Sequence, residues 1–285
     1  MVLPFWISIA CLSLAQAATV AVPRAWDPGR LARLRGRRWA LVPPASIVGF
    51  VLVASLAERA SANGLTYLAL VAVPPLAALA LGWLAWDTRP PRPWRALLLT
   101  PALFVLAWAD RTGLAGQAAA VFLSALSCAA LGALLAAVTP PRWLAAGIVA
   151  MACADTALVV SNQLSRPNNT LNLAHPAAGL PQLQSAAFGS AVMGYGDLFI
   201  AGVLGGLLAS ALGRRWQLRG AALAAVLALA FDLLFFFVNE LPATAPVAVT
   251  LLVVAAAARR TRSPAEARSR ARRQSRPARS PGSAG

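Results

Sequence analysis

Residues 185–212 read SAAFGSAVMGYGDLFIAGVLGGLLASAL, and their only charged side chain is Asp197. A run this long and this apolar is expected to cross a bilayer. A carboxylate in hydrocarbon is costly, so an acid at such a position marks a functional site by default. The preceding apolar run, 144–164, holds a second acid, Asp155, 42 residues upstream of the first. Two acids on neighbouring membrane helices point to chemistry inside the lipid layer.

The rest of the chain fits that setting. Of its 285 residues, 59% are hydrophobic, and the mean hydropathy is +0.67. This excludes an ordinary soluble domain and predicts an all-α, polytopic membrane protein. With about 20 residues as the spanning length, nine apolar segments stand out, near 1–22, 40–57, 65–86, 96–109, 114–138, 144–164, 185–212, 221–238 and 241–258. Pro43-Pro44 and Pro74-Pro75 fall inside runs two and three and predict kinks, and Pro101 interrupts the short fourth run. Trp6, Trp39, Trp83, Trp86, Trp94, Trp108 and Trp143 cluster near the ends of runs, as interfacial aromatics do. Three regions follow: spans one to five (1–143), spans six to nine (144–258) and a basic tail (259–285) that is too polar to bury a core and is expected to be disordered.

Charge gives the orientation. The net charge is +16, and all 25 basic residues are arginine. Nucleic acid is not the expected partner, because the arginines fall in short segments between apolar runs and in the tail. In a nine-span arrangement 22 of them lie on one side, leaving Arg59, Arg111 and Arg166 on the other. The positive-inside rule then places the N-terminus outside and the C-terminus in the cytoplasm of a cell membrane, with anionic lipid headgroups facing the Arg-rich loops and tail. Ala15-Gln16-Ala17 resembles a signal-peptide cleavage site, but no positive segment precedes the first run, so a retained first helix is expected. Cys11, Cys128 and Cys153 sit in apolar runs and read as small buried side chains. The only histidine, His175, falls in the long polar segment 165–184, which reads as a gate or a connector. With one histidine and no cysteine cluster, neither a metal nor another cofactor is expected.

The acids sit at similar depths. Counting ~1.5 Å per helical residue from the cytoplasmic side puts Asp155 roughly 16 Å deep and Asp197 roughly 22 Å, equal within the uncertainty of the helix ends. Two carboxyls brought together in a low-dielectric site share one proton. One can then activate a water against a peptide carbonyl, while the other polarises that carbonyl and protonates the leaving amine. The pair titrates as a unit, so neither role is assigned to a fixed residue. Gly194 and Gly196 flank Tyr195 ahead of Asp197 and permit close backbone approach. A further acid, Asp232, lies in the eighth run and is a rival partner for Asp197 or a third polar group near the pair; Asn239 and Glu240 are expected at that run's outer end.

Asp155, then Gly194-Tyr195-Gly196-Asp197, then Leu241-Pro242-Ala243-Thr244 resembles the GxGD intramembrane aspartyl proteases, the presenilin and signal peptide peptidase family. That family carries an Asp in its sixth span, a GxGD Asp in its seventh and a Pro-Ala-Leu motif opening its ninth. The resemblance covers about residues 144–258 and implies that Asp155 and Asp197 are catalytic. It also implies that Gly194, Tyr195, Gly196, Pro242, Ala243 and Thr244 contact substrate. By the same resemblance the substrates are single transmembrane helices with cytoplasmic N-termini, such as signal-peptide remnants. The chain departs from the family at Ala154, where a Tyr is usual, and at Thr244, where a Leu is usual. Prepilin peptidases also use GxGD, but usually with a lysine close behind, and this chain has no lysine. A transporter with intramembrane acids and proline-broken helices, and a helix-binding protein that does not cut, complete the alternatives.

Overall fold

The computed structural model describes residues 3–25, 29–86, 93–238 and 241–274. Among these the chain forms ten α-helices and one antiparallel hairpin. The helices before the hairpin are α1 (Phe5–Ala21), α2 (Val42–Leu56), α3 (Glu58–Trp86), α4 (Pro93–Ala109), α5 (Leu114–Val138), α6 (Pro141–Val160) and α7 (Ser165–Leu173). The hairpin strands are β1 (Ser185–Phe188) and β2 (Ala191–Gly194), followed by α8 (Tyr195–Ala211), α9 (Arg214–Asp232) and α10 (Ala245–Gln274). Among the described residues, five helical segments are long and apolar enough to cross a membrane: Arg37–Leu56, Glu58–Ala85, Leu114–Val138, Pro141–Val160 and Arg214–Phe236. Large apolar side chains such as Leu52, Leu68, Val71, Leu98, Phe122 and Val160 are exposed on outer helix faces, which is the surface a bilayer would cover. Asn239, Glu240, Arg89, Arg92 and residues 275–285 lie outside the described residues.

Run 185–212 is not one helix. Its first ten residues form the hairpin, with Ser185 paired to Gly194 and Phe188 to Ala191. Gly189 makes the turn at φ 61°, a left-handed conformation that a side chain resists. Hydropathy alone reads Ser185–Gly194 as membrane-spanning; the small residues and the turn glycine let it fold back instead. The consequence is that Asp197 lies in the first turn of α8, not in mid-helix.

Other expectations shift for similar local reasons. Pro43 and Pro44 occupy the first turn of α2, where no helical N–H is lost, so they start the helix instead of kinking it. Pro74 and Pro75 do lie inside the 29-residue α3. Segment 165–184 is a short helix and a 3-10 turn tied to α3: Glu58 pairs with Arg166 at 3.1 Å and accepts a hydrogen bond from Thr170 at 2.6 Å. The expected disordered tail is helical as far as Gln274, in keeping with the helix-favouring Ala, Glu and Arg of that stretch. Only Cys128 is buried; Cys11 and Cys153 lie on outer faces, because apolar helices in lipid need not turn every small residue inward.

Helix α8 is the central element. Leu198, Ile200, Ala201, Val203 and Leu204 are fully buried, and the helix packs against α5, α1, α9 and α6. It meets α5 backbone to backbone. A Cβ on Gly202 would stand 2.2 Å from the Cys128 carbonyl oxygen, and one on Gly132 would stand 2.1 Å from Gly202. One turn on, a Cβ on Gly206 would meet the Gly132 carbonyl at 2.5 Å. Small residues four apart on both helices permit this approach.

Helix α1 runs alongside α9 and is closed at its C-terminal end by α9 side chains. Gln217 donates to the Val20 and Pro23 carbonyls at 2.8 and 2.7 Å, and Arg214 donates to Ala21. At the other end Trp6 stacks on Phe236 at 4.4 Å. Because Gln217 is completely buried, Gln217→Leu leaves two carbonyls without these donors. It is expected to destabilise the protein by roughly 2–4 kcal/mol, read as a lowered unfolding midpoint in detergent.

Candidate active site

Four chain segments that are distant in sequence meet around the two acids. Asp155 lies on α6 and is buried, at 4% exposure. Thr244 donates its hydroxyl to the Asp155 carboxyl at 2.6 Å, and the Thr244 backbone N–H faces the same carboxyl. Asp155 therefore sits at the N-terminal end of α10, where unpaired N–H groups and the helix dipole favour a negative charge. The Asp197 carboxyl reaches back from the third position of α8 to accept the Gly194 N–H at 3.2 Å. This is the return half of a capping box. Each acid is thus held at the positive end of a helix, α10 for one and α8 for the other.

The two acids are linked through the segment before α10: Gln16 of α1 donates to both the Asp197 and the Ala243 carbonyls, and the next residue, Thr244, holds Asp155. Helix α6 reaches α8 at this level through Met151, one turn before Asp155, whose methyl would lie 3.7 Å from a Cβ on Gly196. The rival acid takes a different partner: Asp232, the last residue of α9, accepts a hydrogen bond at 2.7 Å from Ser13 of α1, one turn from Gln16.

The flanking positions divide into open and closed. Gly194 and Gly196 are exposed and Asp197 is half-buried, so backbone beside the acid is open to an approaching chain. Tyr195 instead turns toward α5, where its hydroxyl bonds Ser127 at 2.8 Å, and its backbone carbonyl faces the Cys128 sulfur at 3.8 Å. In this arrangement Tyr195 anchors the start of α8. Ala243 and Thr244 join the acids, and Thr244 is fully buried. Thr244 makes this bond through its hydroxyl, which a leucine at the same position could not do. Asp110, Glu58 and His175 are distributed elsewhere, and no group of three or more metal-ligating side chains occurs among the described residues.

The contribution of α1 is not legible from the motifs. Gln16 is buried and donates from one amide nitrogen to the Asp197 carbonyl at 3.2 Å and the Ala243 carbonyl at 3.0 Å. The available signal was compositional: Ser13 and Gln16 are polar residues three apart, hence on one face, in a mostly apolar helix whose other polar residues are Ser8 and Thr19. A separate cavity of about 160 Å³, lined by Arg24, Arg35, Ala133, Gly206 and Ser210 among others, opens at the far end of α8 from the acids.

No family model, no curated protein and no solved structure matches the chain.

Proposed function

We propose that the chain is an intramembrane aspartyl endopeptidase of the GxGD type, cleaving single transmembrane helices such as signal-peptide remnants. The observation that carries this reading is the hydrogen bond from Thr244 to Asp155. It draws the Pro242-Ala243-Thr244 segment onto the first acid, while Gln16 ties the same segment, at Ala243, to the backbone of the second acid. Two carboxyls so held can share a proton, one activating water and the other polarising the scissile carbonyl. A helical peptide bond is shielded, so the substrate must unwind locally. The hairpin leading into Asp197 offers a strand edge with which an extended segment can pair. In this reading the chain crosses the cell membrane nine times, with its N-terminus outside. Its Arg-rich loops and C-terminus lie in the cytoplasm against anionic lipid. The substrate helices then present cytoplasmic N-termini.

The test is cleavage of an epitope-tagged type II helix by the purified protein in vesicles, with Asp197→Ala and Asp155→Ala in parallel. Equal cleavage by all three proteins would overturn the proposal. Prepilin-type peptides and proton-flux measurements in the same vesicles address the competing peptidase and transporter readings.

Thr244 gives a graded prediction. Thr244→Val keeps shape but removes the hydroxyl donor, and the Asp155 carboxyl loses one hydrogen bond to a charged group, ~1.5 kcal/mol. A roughly tenfold lower kcat is expected, with Thr244→Ser close to wild type.

A further inference from the structure

We infer that Gln16 is a positioning residue for the acid pair, bracketing the start of α8 to the segment that opens α10. The inference rests on the aspartyl-protease reading and adds α1 to its machinery. A buried primary amide in an apolar helix is costly unless it is hydrogen-bonded. Gln16 is 3% exposed, and its amide nitrogen spends both N–H groups on two motifs, at Asp197 and at Ala243. The Asp197 carbonyl lies within α8, where the helix itself supplies a donor, so Gln16 is not there to rescue an orphan acceptor. Ala243 immediately precedes Thr244, which holds Asp155. The resulting path runs from Asp197 through Gln16 to Ala243, and from Thr244 to Asp155. Without the amide, the carboxyls keep their own local donors, Gly194 and Thr244. What is lost is the bond that fixes one helix start against the other. Misplacement of catalytic groups by about 1 Å can cost about a hundredfold in rate.

The experiment compares the wild type with Asp197→Asn, Gln16→Met, Gln16→His and Gln217→Leu, each as the full chain in vesicles. It measures kcat, KM and unfolding midpoint with the tagged helix substrate. Gln16→Met preserves volume without donors; Gln16→His keeps one N–H at about the same reach. Gln217→Leu removes two buried bonds to α1 at its other end and serves as the structural control. The expected result is a kcat about 10- to 100-fold lower in Gln16→Met, with KM within about threefold. Gln16→His should fall in between, and Gln217→Leu should lose stability but not kcat below its midpoint. If the wild type cleaves, Asp197→Asn does not, and Gln16→Met keeps wild-type kcat, the bracket is wrong while the protease reading stands. A kcat loss in Gln16→Met no larger than in Gln217→Leu also overturns it. If Asp197→Asn cleaves like the wild type, the protease reading fails and the inference with it. Should Gln16→Met not fold, Gln16→His decides: an intermediate kcat supports the bracket and a wild-type kcat overturns it.

Discussion

Asp197→Asn is expected to lower kcat on a transmembrane-helix substrate by at least about a thousandfold, ~4 kcal/mol of transition-state stabilisation. The substitution is nearly isosteric. An asparagine carbonyl can still accept the Gly194 N–H that the carboxyl now accepts at 3.2 Å, so the first turn of α8 keeps its cap. What the amide cannot do is take a proton from water or return one to the departing amine. The same loss is expected for Asp155→Asn, since the Thr244 hydroxyl can still donate to the amide oxygen. The informative variant is the double one. If the carboxyls act as one proton-sharing unit, removing both costs about as much as removing either. Single-turnover rates for the four proteins, with unfolding midpoints to confirm that each is folded, measure this directly. A double variant that loses the product of the two single effects contradicts a shared proton. A single variant that keeps a tenth of wild-type activity contradicts the assignment of that acid.

The sequence made the acids easy to find because membrane helices leave few reasons for a carboxylate. Asp155 and Asp197 stood out for that reason, and the Pro242-Ala243-Thr244 segment only through its resemblance to a known motif; the structure ties that segment to both acids. Hydropathy could not distinguish the hairpin from the start of a span, because Ala, Val and Met are equally apolar in either state. The turn depended on Gly189, one glycine among several in that run. Asp232 read as a rival to Asp155 for the partnership with Asp197; what separates them is the lateral neighbour, Ser13 in one case and Thr244 in the other. Lateral neighbours come from the packing of helices far apart in sequence, which periodicity does not encode. Gln16 is the clearest example: its partners are 181 and 227 residues away. Its own surroundings, Ala15-Gln16-Ala17, resemble a cleavage site when read locally.

Gly202→Val is expected to be the most damaging substitution outside the acids, costing more than about 3 kcal/mol, a large share of the ~5–15 kcal/mol that holds a typical domain together. The reason is the nature of what the new side chain meets. At Gly202 even the first carbon would lie 2.2 Å from the Cys128 carbonyl oxygen and 2.7 Å from its carbon. These are backbone atoms of α5 and cannot rotate away. Relief requires α5 and α8 to separate, which breaks the matching contacts at Gly132 and Gly206 in the same seam. Glycines elsewhere give the opposite sign. Gly64 and Gly82 of α3 have no atom within 4 Å of a built Cβ. There Ala adds helix propensity, about 1 kcal/mol at most, and should leave stability unchanged or slightly raised. Unfolding midpoints of Gly202→Ala, Gly202→Val, Gly64→Ala and Gly82→Ala test the contrast, with the order Val below Ala at 202. The damage should also reach the site. Asp197 is five residues from Gly202 on the same rigid helix, so an α8 forced away from α5 carries its first turn, and the carboxyl on it, out of register with Asp155. A folded Gly202→Ala protein should therefore lose activity out of proportion to its loss of stability, whereas Gly64→Ala should lose neither. If Gly202→Val unfolds at the wild-type midpoint, α5 and α8 do not pack through their backbones, and the placement of Asp197 would need a different support.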